Sequence, residues 1–319
     1  MHVVCNIDQN YIKYCVVMFT SLFDNNKPGA IDAHIISEGL SEEDKELIRT
    51  SLAHYDNRIH FYDVGNEILR DCPLKEDSYI SISTYYRVFL PVILPKYISK
   101  VIYLDCDLIV VSSIEELWNM DITDYGIAAV EDMWSYPNFP PYEPLEAYRR
   151  LEIDPKYSYF NAGVMMINLN YWREHHIMEQ CIQYIQTYPE RLHLNDQDVL
   201  NVILHNQKLF IPFKWNMQEG FYRRKRHIRQ EVWKELDTCL PHPAIIHYVG
   251  KMKPWHKESD HPFTEEYRYY MRKTRWRNEC PRTKWQTKIW RGIQKIGYAL
   301  KIDKPKFRQF KKVKLVNKH

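Results

Sequence analysis

Short apolar runs and amphipathic stretches take turns along the N-terminal part of the chain. His2–Asp8 (HVVCNID) is a brief apolar run ending in polar residues. Tyr11–Asn26 then shows helical spacing and stops at Lys27-Pro28-Gly29. Ala33–Ser37 reads as a second strand. Ser41 to Asp44 forms a capping pattern ahead of Leu47, Ile48, Leu52 and Tyr55, which share one helical face. Arg58–Val64 is a third strand. Strands alternating with helices predict βαβ units and a mostly parallel sheet.

Further along, Ser83–Pro95 reads as a helix broken by prolines. It feeds the strand Val101–Leu104, which reaches Asp105-Cys106-Asp107 and carries on apolar toward Trp118. Gly126–Asp132 is the next strand. The Pro- and Tyr-rich stretch Met133–Tyr148 reads as a surface excursion or lid. Tyr159–Trp172 is a turn and strand, Leu194–His205 starts a helix that Asn195 or Asp196 can cap, and Ala244–His256 is a strand running into a polar loop. No internal repeat is present. The fold class is therefore α/β with an open sheet, in the style of nucleotide-binding folds. Such sheets hold ligands beyond the carboxyl ends of their strands, where the strand order reverses. Asp8, Asp105, Asp107, Asp132 and His247 all fall at predicted strand ends.

Side chains two apart on a strand share a face, so Asp105 and Asp107 project to one side and Cys106 to the other. Two neighbouring carboxylates repel, and desolvating them is costly. A divalent cation removes both problems. Oxygen ligands with an added imidazole suit Mn²⁺ or Mg²⁺, and such an ion holds a diphosphate as it departs. An Asp-X-Asp triplet alone is a weak signal, and solvated acids at a strand end are its ordinary reading. The apolar residues on both sides argue for embedded carboxylates.

Composition adds three constraints. Hydrophobic residues make up 45% of 319, enough for a sizeable core. The seven cysteines are odd in number and form no CxxC, which argues for reduced thiols in a cytosolic compartment. Met1–Cys5 already reads as a strand and lacks the layout of a signal peptide, and no apolar run is long enough to span a bilayer. Net charge is +3, yet residues 268–319 hold 18 Lys/Arg against 2 Asp/Glu. An acidic body thus carries a basic tail, which wants a polyanion.

The blocks NIDQNY, SISTYYR, YLDCDLIV, YFNAGVMMINL, NDQDVLN and HYVGKMKPWH follow one another in that order. In them the chain resembles the family 8 retaining glycosyltransferases, near the bacterial lipopolysaccharide galactosyl- and glucosyltransferases and more distantly glycogenin, over Met1 to about His261. The resemblance implies a GT-A (Rossmann-like) fold over residues 1–265. It implies a UDP-hexose donor (galactose or glucose), Mn²⁺ with Mg²⁺ as substitute, and retention of anomeric configuration. Carried onto this chain, Asp105, Asp107 and His247 hold the metal through the DXD motif and a distant imidazole. Asp8 and Asn10 contact the uridine, and Arg87 lies near the diphosphate and sugar. Asp132, Asn161, Asp196 and Gln197 hold the hexose, with Gln197, Asp196 and Asp132 as the catalytic group. Gly250 and Lys253 clamp the diphosphate. The acceptor is a saccharide or glycolipid such as lipopolysaccharide core.

Two other function classes share this architecture. A sugar-nucleotide-binding scaffold without catalysis is opposed by the intact Asp105, Asp107, Gln197 and His247. A metal-dependent nucleotidyltransferase calls for a Gly-rich phosphate loop near the N-terminus, and NIDQNYIKY contains no glycine. In the tail (266–319), Lys284–Leu300 reads as an amphipathic helix with apolar Trp285, Ile289, Ile293, Ile296 and Leu300 beside a stripe of Lys and Arg. That pattern predicts attachment to anionic lipid and peripheral placement on the cytoplasmic face of the inner membrane. No nucleic-acid recognition motif accompanies it.

Overall fold

The computed structural model describes residues 1–65, 82–133, 144–224 and 230–281, together with 293, 296, 300, 304–308, 310–313 and 315. Most of the expected lid (134–143) and of the expected tail helix (284–300), like Cys72, lies outside these residues.

Strands β1 (His2–Ile7), β2 (Asp32–Ser37), β3 (Arg58–Asp63), β4 (Lys100–Leu104), β6 (Ile127–Glu131), β7 (Phe160–Asn168) and β8 (Lys208–Phe210) form a seven-stranded sheet in the order β3-β2-β1-β4-β7-β6-β8. Four of its pairings are parallel; only β7 runs against its neighbours β4 and β6. The expected mixed, mostly parallel α/β sheet is what forms. Strands buried on both faces read as unbroken apolar runs, and β7 is one, with its first eight residues buried.

Alternation divides the core in two. Val3, Cys5, Ile7, Ala33, Ile35, Ile102 and Leu104 pack on one face against Cys15, Val16, Phe19 and Leu22 of α1 (Ile12–Asp24). Val4, Ile36, Val101 and Tyr103 meet Trp172, Ile177, Cys181 and Ile185 on the other. Helix α2 (Glu42–Leu52) opens with the capping box read from Ser41 and Asp44. Within Ser83–Pro95, a 3₁₀ stretch (Ile82–Phe89) and one α-turn (Leu90–Ile93) replace the expected helix. Pro91 and Pro95 account for its shortness, since each lacks a backbone donor.

The strand expected at Val101–Leu104 forms as β4, with Asp105 and Asp107 beyond its carboxyl end, but the apolar run does not continue it as one strand through Asp105-Cys106-Asp107. The chain leaves the large sheet after Leu104 and enters a separate three-stranded sheet as β5 (Leu108–Val110), beside β10 (Ile245–His247) and then β9 (Met217–Gln218). Strand β5 pairs antiparallel with β10, His247 opposite Leu108. The two aspartates therefore sit on the turn between two sheets. Asp105 N–H still bonds Gly163 O of β7 at 2.9 Å, whereas Asp107 O accepts from Tyr248 N–H, just beyond β10, at 3.0 Å, so each aspartate is held by a different sheet.

The described end of the chain lies on the body. Phe307 and Phe310 pack against the main core, and Phe310 stacks on Tyr222 at 5.7 Å. Lys306 pairs with Asp260 at 3.1 Å and Glu219 at 3.2 Å, and Lys312 with Glu266 at 3.6 Å. Part of the basic excess is thus answered by the acidic body. Helix α4 (Thr264–Lys273) buries Tyr267, Tyr270 and Met271 in the same core.

His34 gives the fold a pH dependence away from the cleft. Burial, then the charges of His2 and His60, push its imidazole down to about 3, with Asp32 opposing and the Met1 ammonium adding to the fall. A histidine kept neutral when folded contributes stability above its unfolded value of about 6.5, lost as pH falls toward 3. Between pH 8 and pH 5 the loss is about 2 kcal/mol. Urea titrations at the two pH values are expected to show a drop smaller by about that amount in His34→Gln. Equal drops in both proteins would refute the assignment.

Candidate active site

Beyond β1 the chain turns toward β2 on one side of the sheet, and β4 lies on the other, so the strand order reverses there. A cleft of about 630 Å³ opens at this point. Of the residues singled out from sequence, Asp8, Arg87, Asp105, Asp107, Asp132, Asn161, Asp196, Gln197, His247, Gly250 and Lys253 all line it. Asn10 does not; it is exposed on the turn after β1, its backbone N–H donating to Asp8 Oδ1 at 2.8 Å. That bond and the one from Tyr11 N–H make Asp8 the cap of a short 3₁₀ turn (Gln9–Tyr11) as well as a cleft residue.

At one end of the cleft Asp105, Asp107 and His247 bring ligand atoms within 4.8 Å of one another. His247 Nε2 lies 3.1 Å from Asp107 Oδ1 and 3.8 Å from Asp105 Oδ2. Two carboxylates and an imidazole are the hard donor set that Mn²⁺ or Mg²⁺ accepts. Lys253 Nζ reaches Asp107 Oδ2 and also donates to Tyr248 O at 2.9 Å. Burial opposes ionisation of Asp107, but Lys253 and His247 outweigh it and hold the carboxyl well below its usual range. Cys106 points the other way, into a buried cluster with Cys5 and Cys15, as a spacer.

Arg87 occupies the floor. Its Nη1 donates to Ala162 O at 2.8 Å and its Nη2 to Asp105 Oδ1 at 3.0 Å. Its Nε faces Asp196 Oδ2 at 3.0 Å as an ion pair without hydrogen-bond geometry. The guanidinium lies 4.3 Å from the Tyr103 ring centre, and Tyr103 O–H donates to Asp105 Oδ1 at 3.1 Å. Burial pushes the Asp196 carboxyl up to about 7; Arg87 opposes the rise and Asp105 adds to it.

The other end of the cleft is a network of amides. Gln197 Oε1 accepts from Ala162 N–H at 2.9 Å and from Asn161 Nδ2 at 3.3 Å, while Gln197 Nε2 donates to Asp132 Oδ2 at 3.3 Å. Asn161 Nδ2 also donates to Asp132 Oδ2, at 3.0 Å. Gln197 and Asp196 open helix α3 (Asp196–Ile203), but no side chain caps it. Asn195 holds the cap position at φ 45° without a capping bond, and Asp196 pairs with Arg87 instead. That is a second correction: the buried ion pair takes the side chain that local sequence offers to the helix end.

Sequence reasoning missed Gly163, Asn216, Tyr103, Asn6 and Tyr11. Only Gly163 carries a local signal, because a glycine inside a strand marks close approach. A Cβ there would stand 2.2 Å from His247 Cε1 and 2.7 Å from Asp105 Oδ2. Gly250 has φ +100°, a conformation other residues adopt only under strain, and this turns the chain toward Lys253.

Among the described residues no helix is long and apolar enough to cross a membrane. Residues 2–259 match the model of the family described as Glycosyl transferase family 8. General stress protein A of Bacillus subtilis (strain 168) is 31% identical over 281 residues, covering 86% of this chain and 94% of that protein. A lipopolysaccharide 1,2-glucosyltransferase of Escherichia coli (strain K12) is 26% identical over 287 residues, 88% of this chain and 80% of that protein. The crystal structure of the galactosyltransferase LgtC with donor and acceptor sugar analogues superposes with a TM-score of 0.76 at 26% identity, covering 88% of this chain and all of that one.

Proposed function

The chain belongs to glycosyl transferase family 8, and from that premise we propose that it moves a hexose from a UDP-sugar to a hydroxyl of a saccharide or glycolipid, with retention. One observation carries this reading: Asp105, Asp107, His247 and Lys253 converge in the cleft at the switch point of the sheet. Asp105, Asp107 and His247 would hold Mn²⁺, or Mg²⁺ in its place. The ion's contribution when bound is to neutralise charge developing on the departing diphosphate. Lys253 supplies a second cation to that diphosphate, and Gly250 lets the loop carry it there. Asp8 and Asn10 are assigned to the uridine, and Arg87 orients the carboxylates beneath the sugar.

Gln197, Asp196 and Asp132 are assigned to the hexose. Gln197 Oε1 already accepts from Ala162 N–H and Asn161, and Asp196 is paired with Arg87. Both far-face nucleophile candidates are therefore engaged, which supports attack from the face that the diphosphate leaves. The lipopolysaccharide glucosyltransferase among the relatives supports a glycolipid acceptor. Of the basic segment 266–319, the part that carries the exposed Ile293, Ile296 and Leu300 is assigned to anionic lipid on the cytoplasmic membrane face, whereas Thr264–Lys273, Phe307 and Phe310 pack on the body.

Incubation with Mn²⁺ and a panel of UDP-sugars is expected to release UDP, and Asp107→Asn to lower that release by about a hundredfold or more. Release of pyrophosphate from a nucleoside triphosphate instead would mark a nucleotidyltransferase. No turnover of either kind, with UDP-sugar still bound, would mark a scaffold.

A further inference from the structure

We infer that Asn216 is a positioning residue that sets the tautomer of His247 and ties the cation ligands to the sugar end of the cleft. The inference rests on the reading of Asp105, Asp107 and His247 as cation ligands. Asn216 follows a 3₁₀ turn (Phe213–Trp215), precedes β9 and is fully buried. Its Nδ2 lies 2.9 Å from Asn161 Oδ1, and its Oδ1 lies 2.9 Å from His247 Nδ1.

The direction of these bonds follows from groups that cannot reverse. Gly163 N–H, an obligate donor, points at Asn161 Oδ1 from 3.0 Å. That atom is therefore an acceptor, and the Asn216 atom facing it must be the NH₂ group. Asn216 then turns its carbonyl oxygen to His247, whose Nδ1 must carry a hydrogen. The lone pair of neutral His247 is left on Nε2, the nitrogen facing Asp107 Oδ1 and Asp105 Oδ2. Acceptors facing acceptors are satisfied by a cation among them. Asn161 continues the chain to Asp132 and Gln197. One carboxamide thus links the ligand imidazole to the residues assigned to the hexose. A ring nitrogen held by such a partner is the usual means by which a ligand histidine is oriented.

Two variants separate this role from packing. Asn216→Leu keeps the branching of the side chain, at a larger volume, and removes both bonds; Asn216→Asp keeps an acceptor for His247 Nδ1 and loses the donor to Asn161. Mn²⁺ binding in the presence of UDP, followed by the electron paramagnetic resonance of free Mn²⁺, is expected to weaken about 10–100-fold in Asn216→Leu. In Asn216→Asp it is expected to stay within about threefold of the parent while KM for the UDP-sugar rises. Nitrogen-15 spectra of metal-free protein at a pH where His247 is neutral are expected to show hydrogen on Nδ1 in the parent and a tautomer mixture in Asn216→Leu. A folded Asn216→Leu with parental Mn²⁺ affinity, or a parent with hydrogen on Nε2, overturns the inference. If the parent itself binds no Mn²⁺, the cation reading fails, and the spectra still decide what Asn216 does to His247.

Discussion

Gly163→Ala is expected to lower UDP-sugar turnover by about a hundredfold or more without unfolding the protein. Position 163 lies in β7, next to Val164, which pairs with Leu104 of β4, and its carbonyl accepts from Asp105 N–H at 2.9 Å. That bond ties the backbone at 163 to the same aspartate the new methyl group would crowd. The new methyl group would overlap His247 Cε1 and Asp105 Oδ2. His247 is nearly fully buried and held by Asn216, so the proposed ligand set must open. A displacement of about 1 Å in a positioned group costs on the order of a hundredfold in rate, and the overpacking costs roughly 1–3 kcal/mol. UDP release and thermal unfolding measured on one preparation separate the two effects. Parental turnover would show that the reaction does not use this end of the cleft.

Arg87→Met carries the largest stability loss we expect, about 3–5 kcal/mol. The guanidinium is buried on the floor of the cleft and lies between Asp105 and Asp196. Methionine fills the volume and leaves the buried Asp196 without its counter-ion, which is where the penalty falls; Asp105 is partly exposed and keeps its bond from Tyr103 O–H. Arg87→Lys should recover little. A single ammonium cannot reach Ala162 O, Asp105 and Asp196 with the fork that Arg87 uses. Urea titration followed by tryptophan fluorescence measures both variants. A midpoint like the parent's in Arg87→Met would mean that the pairs contribute nothing net.

Much of the cleft was legible because it is built from strand ends. Asp8 and Asp132 could be placed together from strand–helix alternation alone, since a mostly parallel sheet gathers those ends on one edge; His247 ends a strand too, but β10 belongs to the other sheet and reaches the cleft only through its pairing with β5. Arg87, Asn161, Asp196, Gln197, Gly250 and Lys253 were found only through the six sequence blocks. Nothing in their local patterns separates them from cap, turn or surface residues. Asn216 had no signal at all: a lone asparagine between Trp215 and Met217 looks like any turn residue.

By itself, the sequence determined the order of elements, the two-sided burial of the strands, the family, and the residue types available at the strand ends. These follow from periodicity and local chemistry, which act over a few residues. Tertiary structure alone decided that Asp105 and Asp107 sit on a turn between two sheets. The apolar Leu108–Val110 suits either sheet equally, and only pairing with β10 chooses. The same pairing brings His247 to the aspartates, and the close pass of His247 over β7 is what requires glycine at 163. The direction of the amide chain from Gly163 through Asn161 and Asn216 to His247 was likewise decided in three dimensions, because each bond joins residues whose order in the chain says nothing of their contact.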